Sequence, residues 1–483
     1  MIELKDIRNI YFIGIGGIGM SALARYFNSN GVKVSGYDRT QTSLAKKLEE
    51  EGMFIHYTDD IVLLDKEAQA VIYTPAVPAD HKELNWYKSN GYSVMKRSDI
   101  LQIITKDSFN VCIAGTHGKT SITTMTGFLL RHTGYGCNAF LGGISVNYDS
   151  NFWSSNNNVC VVEADEYDRS FLKLSPDIAV VTAMDADHLD IYGTVEAMED
   201  AFVQFAGRIK SDGLLIRKHL LDKLNKAEVR RQLTYQLKNS EAEHVHINED
   251  DHHHSEDTPD IYASNIRMLE GGYLFDAQIS HSKIDDIRLN IGGLHNIENA
   301  LAAITVAKLL NIDEEKIKAA VADFKGVRRR FEYVVKEMNE AGKGLVLIDD
   351  YAHHPEELHA LIGSAKLLFP SLKCTVIFQP HLFTRTRDLA KGFAESLNEA
   401  DEVLLLPIYP ARELPIEGVT SAMIADGIKT ADVKLVTRED CISIIKSEGT
   451  ELLIAAGAGD IDTLVPILKE ILFEKIALKA NKN

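Results

Sequence analysis

The stretch "IGIGGIGMSALA" at residues 13–24 follows a short apolar run and opens a helical pattern. Its glycines Gly14, Gly16 and Gly19 fit the G-x-G-x-x-G spacing of dinucleotide sites, and Asp38 lies close to the usual place of the ribose-binding acid. Such glycines let backbone N–H groups approach a diphosphate at the N-terminus of the helix. The stretch therefore predicts a strand, a phosphate-binding turn and a helix of a parallel α/β sheet.

A second phosphate motif, "AGTHGKTS" at residues 114–121, predicts an ATP site. The glycines let the backbone turn its N–H groups toward a phosphate, Lys119 can reach the β- and γ-phosphates, and the Thr120 hydroxyl can ligate Mg²⁺. The motif is a shortened P-loop, because Ile113 stands where the usual pattern has its first glycine. The expected ATP contacts are Gly115, Thr116, His117, Gly118, Lys119, Thr120 and Ser121.

Length and composition narrow the class of protein. A chain of 483 residues suggests about three domains. The formal charge of −18 argues against a nucleic-acid surface, which needs concentrated Lys and Arg. Five scattered cysteines without a C-x-x-C pair indicate a reducing, cytoplasmic compartment. No apolar run approaches 18 residues, so we expect no membrane span, and the N-terminal apolar run predicts a first strand rather than a signal peptide.

Three strand–loop–helix openings divide the chain. They predict three α/β domains in series: an N-terminal Rossmann-like domain, a central P-loop ATPase-type domain and a C-terminal Rossmann-like domain. The expected boundaries are 1–107, 108–324 and 325–483.

Two further strand ends follow the ATP motif. Glu163 ends the strand in "VVEADEYDRSF", and His188 follows the next strand in "VTAMDADHLDIYG". Carboxyl ends of parallel strands share one edge of a sheet, so we expect both side chains near Lys119 and Thr120, as Mg²⁺ ligands of a phosphoryl-transfer site. The alternatives are a solvated acidic turn for residues 163–168 and a structural hydrogen bond for the histidine.

The motif "GLHNIENA" places Asn296 and Asn299 on one helical face. Amide side chains can bind an adenine edge or a phosphate, although Asn296 could instead be an N-cap. The motif "GVRRRFE" at residues 326–332 offers an arginine that could clamp the γ-phosphate, and the alternative is a solvated basic hinge.

The last domain holds two candidate motifs. In "IDDYAHHPEE", Asp349 lies at a strand tip, where it could bind a ribose hydroxyl. In "FQPHLFTRTRD", His381, Arg385 and Arg387 follow another strand tip, and arginine suits a carboxylate ligand through its bidentate fork.

Residues 241–260 differ from the rest of the chain. They contain five histidines and eight acids with almost no apolar residue. This composition favours a solvated surface loop, and the alternative is a transition-metal site.

Together these motifs resemble the Mur ligases of bacterial cell-wall synthesis, over nearly the whole chain and in family order. The resemblance implies that the first glycine turn holds the diphosphate of a UDP-sugar rather than NAD. The residues expected to bind it are Gly14, Gly16, Gly17, Ile18, Gly19 and Asp38.

The resemblance also implies roles for the remaining motifs. Lys119 and one arginine, Arg329 or Arg330, would act on the ATP phosphates. Nucleotide contacts would come from Asn296, Asn299 and Asp349, and the metal ligands would be Thr120, Glu163 and His188. Arg385 would hold the carboxylate of the amino acid. Many relatives have arginine at the position of Leu382, so this pocket departs from the family pattern.

The implied reaction forms an amide through an acyl phosphate, with release of ADP and phosphate. The stretches "IYPARELPIEGVTS" at residues 408–421 and "GAGDI" at residues 457–461 point to UDP-N-acetylmuramate and L-alanine as substrates. The alternatives are a ligase that adds another amino acid or a peptide, an NAD-dependent oxidoreductase, and a non-catalytic nucleotide-binding regulator. A monomer and a homodimer both stay open.

Overall fold

A computed structural model of the protein describes residues 4–186, 189–237, 258–339, 343–411 and 413–480. Three sheets, built mainly of parallel strands, carry helices between their strands. The predicted α/β class is therefore confirmed. In the described part of the chain, no helix combines the length and the apolar character that crossing a membrane requires.

The first sheet has five strands in the order β3-β2-β1-β4-β5. The strand pairs are parallel, and β1 lies at the centre, so the loop after β1 opens at the point where the strand order reverses. The elements are β1 (Asn9–Ile13), α1 (Ile18–Ser29), β2 (Lys33–Tyr37), α2 (Ser43–Glu50), β3 (Phe54–His56), β4 (Ala70–Tyr73), α3 (Lys82–Ser89), β5 (Val94–Lys96) and α4 (Arg97–Thr105).

The second sheet has ten strands in the order β15-β14-β13-β12-β11-β10-β6-β9-β7-β8. Its elements are β6 (Phe109–Ala114), α5 (Lys119–His132), β7 (Asn138–Ser145), β8 (Ser150–Trp153), β9 (Val159–Glu163), β10 (Ile178–Val181), α6 (Leu189–Tyr192), α7 (Val195–Ala206), β11 (Leu214–Lys218), β12 (Gln232–Leu237), β13 (Ile261–Leu269), β14 (Gly272–Ile279) and β15 (Ser282–Leu289). The strands β6, β9 and β10 are neighbours, so their carboxyl ends meet at one edge.

The third sheet has six strands in the order β16-β17-β21-β18-β19-β20, with β16 antiparallel to β17 and the other pairs parallel. The remaining elements are α8 (His295–Leu309), α9 (Glu314–Asp323), β16 (Glu332–Met338), β17 (Gly344–Asp350), α10 (Pro355–Leu368), β18 (Cys374–Phe378), α11 (Phe383–Leu397), β19 (Glu402–Leu405), α12 (Ala422–Ala425), β20 (Asp432–Leu435), α13 (Arg438–Ser447), β21 (Leu452–Ala456) and α14 (Val465–Ala480).

The chain forms two compact units. One comprises Met1–Ser264, Asp276–Asp285 and Glu298–Val321, and the other comprises Asn265–Phe275, Asp286–Ile297 and Ala322–Asn483. The first unit contains both the first sheet and most of the second sheet, which share one hydrophobic core. The predicted boundaries of the three domains, after residues 107 and 324, stay a prediction.

Helix α1 joins the two sheets of the first unit. One face of α1 packs on β1, where Phe27 lies 6.3 Å from Phe12 between ring centroids. The other face packs on β7 and β8, where Tyr26 lies 5.6 Å from Phe140 and 6.0 Å from Phe152. The glycine turn that precedes α1 is thereby held beside the second sheet.

Buried polar contacts fix this docking. The Asn151 side chain donates hydrogen bonds to the carbonyl of Ile18 (2.6 Å) and to the hydroxyl of Ser21 (2.8 Å). Arg25 donates to Asn151 and also pairs with Glu51 at 2.7 Å. Because buried polar groups are costly to leave unpaired, these bonds specify the register between α1 and β8.

Candidate active site

The first glycine turn has the geometry of a diphosphate-binding loop. Gly14 adopts φ +86°, which favours glycine, and the N–H of Gly16 donates to Asp38 Oδ2 at 2.8 Å. A Cβ built on Gly16 would lie 2.9 Å from that same oxygen. Asp38 therefore orients the turn in this structure, in addition to its predicted place in the UDP-sugar site.

The second loop follows β6 and leads into α5. Gly118 is the N-cap of the helix and adopts φ +78°, while Gly115 adopts φ +133°. A Cβ on Gly115 would lie 2.8 Å from the backbone nitrogen of Ala183. The Thr116 hydroxyl accepts from the N–H of Asp185 at 3.2 Å, and the carbonyl of His117 accepts from Thr182. These contacts tie the loop to the end of β10.

Acidic side chains after β9 contact this loop. Lys119 Nζ donates to Glu166 Oε1 at 2.7 Å and to the carbonyl of Gly115 at 2.6 Å. Glu166 is fully buried, so the pair fixes the ammonium group at the mouth of the loop. The alternative of a solvated acidic turn does not hold for Glu166, which is fully buried, whereas the side chains of Asp165 and Asp168 are 36% and 39% exposed.

Thr120 and Glu163 form a set of oxygen donors. The Thr120 hydroxyl donates to Glu163 Oε1 at 3.1 Å, and Glu163 Oε2 accepts from the N–H of Gly142 at 3.1 Å. Hydroxyl and carboxylate oxygens are the ligands that Mg²⁺ prefers, so these residues fit the ion. The third predicted ligand, His188, lies outside the described residues. Within the described ranges, no group of three or more His, Cys, Asp and Glu side chains is arranged to hold a metal.

A pocket of about 100 Å³ connects the start of α1, which follows the first glycine turn, with Glu163, one of the metal-ligand candidates. It lies within the first compact unit, between the start of α1, the middle of β7 and the end of β9. Its polar lining comes from Arg97, Glu163 and Asp165, and Leu23, Leu101 and Phe140 are among its apolar lining residues. A ligand held by the glycine turn can therefore extend toward Glu163.

Helix α8 brings one predicted asparagine to the ATP loop. A Cβ built on Gly118 would lie 3.0 Å from Asn299 Oδ1, so this amide borders the loop. Asn296 is buried and donates its amide to the carbonyl of Gly292 at 2.6 Å. Because the helix begins at His295, the alternative that Asn296 is the N-cap is wrong.

Arg329 and Asp349 lie together in the second compact unit. Arg329 donates to the carbonyl of Gly457, and its guanidinium lies 4.9 Å from the ring centroid of Tyr351. This side chain is 20% exposed, so the alternative of a solvated hinge is wrong for it. Asp349 is buried, and burial raises the pKa of its carboxyl to about 7, although the charge of Arg329 opposes the shift. Asp349 Oδ1 has no hydrogen-bond partner among the described residues.

Arg385 lies on the first turns of α11, after β18. Its Nη1 is 3.5 Å from His381 Nδ1, and the His381 ring stacks on Tyr409 with centroids 5.8 Å apart. Burial, followed by the charge of Arg385, lowers the pKa of His381, which favours a neutral imidazole. Arg387 instead pairs with the adjacent Asp388 at 2.7 Å. Arg385 is thus the better-placed cation of the two beside this histidine.

Three residues of this arrangement escaped the sequence analysis as individual site residues. Asp165 and Glu166 belong to the acidic run at residues 163–168, but sequence spacing does not predict the side chains with which they pair. Arg97 carried no signal at all, because it stands outside every phosphate motif.

Family models match along most of the chain. The Mur ligase family catalytic domain matches residues 9–109, the Mur ligase middle domain matches residues 113–307, and the Mur ligase glutamate ligase domain matches residues 329–459.

Individual relatives agree with these matches. A UDP-N-acetylmuramate–L-alanine ligase of Flavobacterium johnsoniae is 45% identical, over 98% of this chain and 100% of the relative. One of Cytophaga hutchinsonii is 42% identical, over 99% of this chain and 100% of the relative. The crystal structure of a UDP-N-acetylmuramate–alanine ligase from Thermotoga maritima matches with a TM-score of 0.78 and 27% identity, covering 96% of this chain and 98% of that one.

Proposed function

This chain belongs to the Mur ligase family, and we propose that it joins L-alanine to the carboxylate of UDP-N-acetylmuramate at the expense of ATP. The product is UDP-N-acetylmuramoyl-L-alanine, a precursor of peptidoglycan. Relatives of this name match the chain over nearly its full length. A cytoplasmic location suits these substrates, and the five cysteines are buried and free.

The observation that carries the proposal is the pocket between the two phosphate loops. Its lining runs from Gly19, in the first turn of α1 directly after the glycine turn, to Glu163, which bonds Thr120 of the ATP loop. A UDP-sugar bound by its diphosphate at the turn would send its sugar carboxylate toward the ATP loop. An NAD-dependent oxidoreductase would leave this second loop without a use.

The proposed reaction is the one that membership of the Mur ligase family implies. The sugar carboxylate attacks the γ-phosphorus of ATP, which breaks the bond to the β-phosphate oxygen and forms an acyl phosphate and ADP. The amine of L-alanine then attacks the acyl carbon, and phosphate leaves. Lys119 and Arg329 would stabilise the negative charge that spreads over the transferring phosphoryl group. Asn299 and Asp349 would hold the nucleotide, and Arg385 the α-carboxylate of the amino acid.

Magnesium belongs to this proposal. Thr120 and Glu163 would hold the ion, with His188 as the further predicted ligand. When bound, Mg²⁺ would offset the charge of the phosphates and orient them.

The second candidate is a ligase of the same family that adds a different amino acid or a peptide. Leu382 precedes α11 beside the proposed amino-acid site, where the chain departs from the pattern that the resemblance implies, so the acceptor is the part of the proposal that most needs a test. Phosphate release from ATP should be measured with UDP-N-acetylmuramate and a panel of L-Ala, Gly, L-Ser, D-Glu, diaminopimelate and tripeptide. Turnover highest with L-Ala is expected, and turnover confined to the tripeptide would overturn the assignment.

A further inference from the structure

We propose that Arg97 binds the sugar-proximal phosphate of the UDP-sugar, an inference that rests on the proposed function. Arg97 is the first residue of α4 and follows β5 directly. It therefore lies at the carboxyl edge of the first sheet, the edge at which the glycine turn after β1 also opens.

The guanidinium of Arg97 lies directly against Gly19. A Cβ built on Gly19 would overlap Nη1 and would lie 3.2 Å from Cζ. The third glycine of a dinucleotide fingerprint ordinarily permits close packing of helix and strand. In this protein it leaves room for a cation in the first turn of α1, where a diphosphate is expected.

Only one of the two terminal nitrogens of the Arg97 guanidinium makes a hydrogen bond to a described residue. Nη2 donates to Asp165 Oδ2 at 2.8 Å, and the side chain is 24% exposed. Nη1 makes no hydrogen bond to another group in the part of the chain that the structure describes. A phosphate oxygen at the turn could accept from this free edge, and arginine is well suited to phosphate because of its fixed fork of donors.

The position within the pocket favours the phosphate nearest the sugar. Arg97 and Gly19 both line the pocket that leads from the turn toward Glu163. A phosphate bound beside these two residues would be the one from which the sugar continues into the pocket. Asp165 accepts from Nη2 and leaves Nη1 to the ligand, so we assign it a positioning role rather than a ligand contact.

The test compares two ligands that share uridine, diphosphate and amino sugar but differ in the lactyl carboxylate. Calorimetric titration of the full chain with UDP-N-acetylmuramate and with UDP-N-acetylglucosamine gives both dissociation constants. Arg97→Ala should weaken both by a similar factor, about tenfold to a hundredfold for one charge-assisted hydrogen bond. Arg97→Lys should restore part of the affinity.

Two variants separate a ligand contact from a structural role. Asp165→Asn removes the ion pair that positions the guanidinium but leaves the cation, so UDP-sugar affinity should fall less than in Arg97→Ala. Lys96→Ala removes the neighbouring Lys96–Asp168 pair (2.9 Å), which joins the same two segments outside the pocket lining, and should leave both affinities unchanged.

Three outcomes would overturn the inference. Equal losses in Arg97→Ala and Lys96→Ala would assign Arg97 a structural role in joining the two segments. A loss confined to UDP-N-acetylmuramate would assign it to the lactyl carboxylate instead, and unchanged affinity for both ligands would remove it from the site. If the unaltered protein bound neither ligand, the proposed function itself would fail.

Discussion

Glu163 is the residue on which the metal assignment depends most directly. One carboxylate oxygen accepts from Thr120 and the other from Gly142. Glu163→Gln keeps the size and a hydrogen-bonding oxygen but removes the charge that Mg²⁺ needs. We expect kcat to fall about a hundredfold or more, with little change in UDP-sugar affinity.

The matched control for this variant is Glu199→Gln. Glu199 lies on α7 in the same compact unit, and its carboxylate pairs with Lys223. Its kcat should equal that of the unaltered enzyme. Full turnover of Glu163→Gln at saturating Mg²⁺ would exclude Glu163 as a ligand.

Arg385 is the residue that tests the amino-acid site. Its guanidinium lies beside His381, whose lowered pKa favours the neutral form, so the carboxylate of L-Ala would depend on the arginine for its charge. Arg385→Ala should raise the KM for L-Ala by an amount worth roughly 2–4 kcal/mol, and Arg385→Lys should recover only part of it. Arg387→Ala is the control, because Arg387 pairs with Asp388. A larger rise in the KM for ATP than for L-Ala would move Arg385 to the nucleotide site.

The raised pKa of Asp349 predicts that the stability of the protein depends on pH. Its pKa is raised from 3.8 to about 7, mainly by burial, so the folded state binds this proton more tightly than the unfolded state. The free energy of unfolding should therefore fall as pH rises from about 4 to about 7 and then level off.

Asp349→Asn removes this dependence and keeps the shape of the side chain. The free energy of unfolding of the variant minus that of the unaltered protein should therefore rise by on the order of 2–3 kcal/mol when the pH is raised from 5 to 8. Urea unfolding of both proteins at the two pH values measures this change. The titration of the neighbouring Asp350 contributes to both proteins and therefore largely cancels from the difference. A stability difference that is independent of pH would show that Asp349 is ionised in the folded protein throughout this range.

At the scale of elements, the glycine turn and helix α1 act as one unit. Gly19→Ala would push a methyl group into the Arg97 guanidinium, and Gly16→Ala would place one 2.9 Å from Asp38 Oδ2. Both variants should raise the KM for the UDP-sugar, while the KM for ATP changes little because its loop follows a different strand. Gly207→Ala is a suitable control, since Gly207 has φ −67° and a Cβ there would meet nothing closer than 3.4 Å. A selective loss of ATP affinity would contradict the assignment of the turn.

The sequence predicts these elements better than it predicts their partners. The strand before Gly14 and the helix after Gly118 follow from apolar runs and glycine spacing, and both are present. The docking of α1 on β7 and β8 does not follow from such patterns. Helix α1 is apolar around most of its surface, which predicts burial on several sides but not the identity of the covering strands. Asn151, which fixes that docking, lies far from α1 in the chain.

The same limit applies to the site. Glu163 was predictable because a carboxylate at a strand end has a known place in an α/β sheet. The buried pair between Lys119 and Glu166 was not, because it depends on how the segment after β9 folds back over the loop. The contact of Gly19 with Arg97 was also not predictable, since the motif does not indicate which side chain occupies the space that this glycine leaves.

At the scale of the whole molecule, the first unit holds the two phosphate loops on one hydrophobic core. The shared hydrophobic core includes Ile10 and Phe12 of the first sheet and Cys160 and Val162 of the second. Because both phosphate loops open from this single body, the distance between the UDP-sugar turn and the ATP loop is set by packing rather than by a mobile linker. Substitutions that loosen the core should therefore affect both sites together.

The acidic and histidine-rich segment at residues 241–260 gives the last prediction at this scale. The predicted surface loop and its metal-site alternative both fall mainly on residues 238–257, outside the described residues. The strands that flank the segment pair directly, with Tyr235 opposite Ile261, and Asp260 accepts from the N–H of Thr234 at 2.8 Å. These contacts hold the two ends together without help from the residues between them. Because β12 and β13 are parallel, the chain must cross back from the end of β12 to the start of β13, which takes about a dozen residues. Deleting only Asn248–Ser255 leaves residues 238–247 and 256–260 for this crossover, and the entropy of closing a loop changes slowly with its length. We therefore expect ligase turnover within about twofold of the full chain and a stability change of less than about 1 kcal/mol. A large loss of turnover on deletion, reproduced in the full chain by a chelator selective for transition metals, would instead assign this segment a metal-binding role in the reaction.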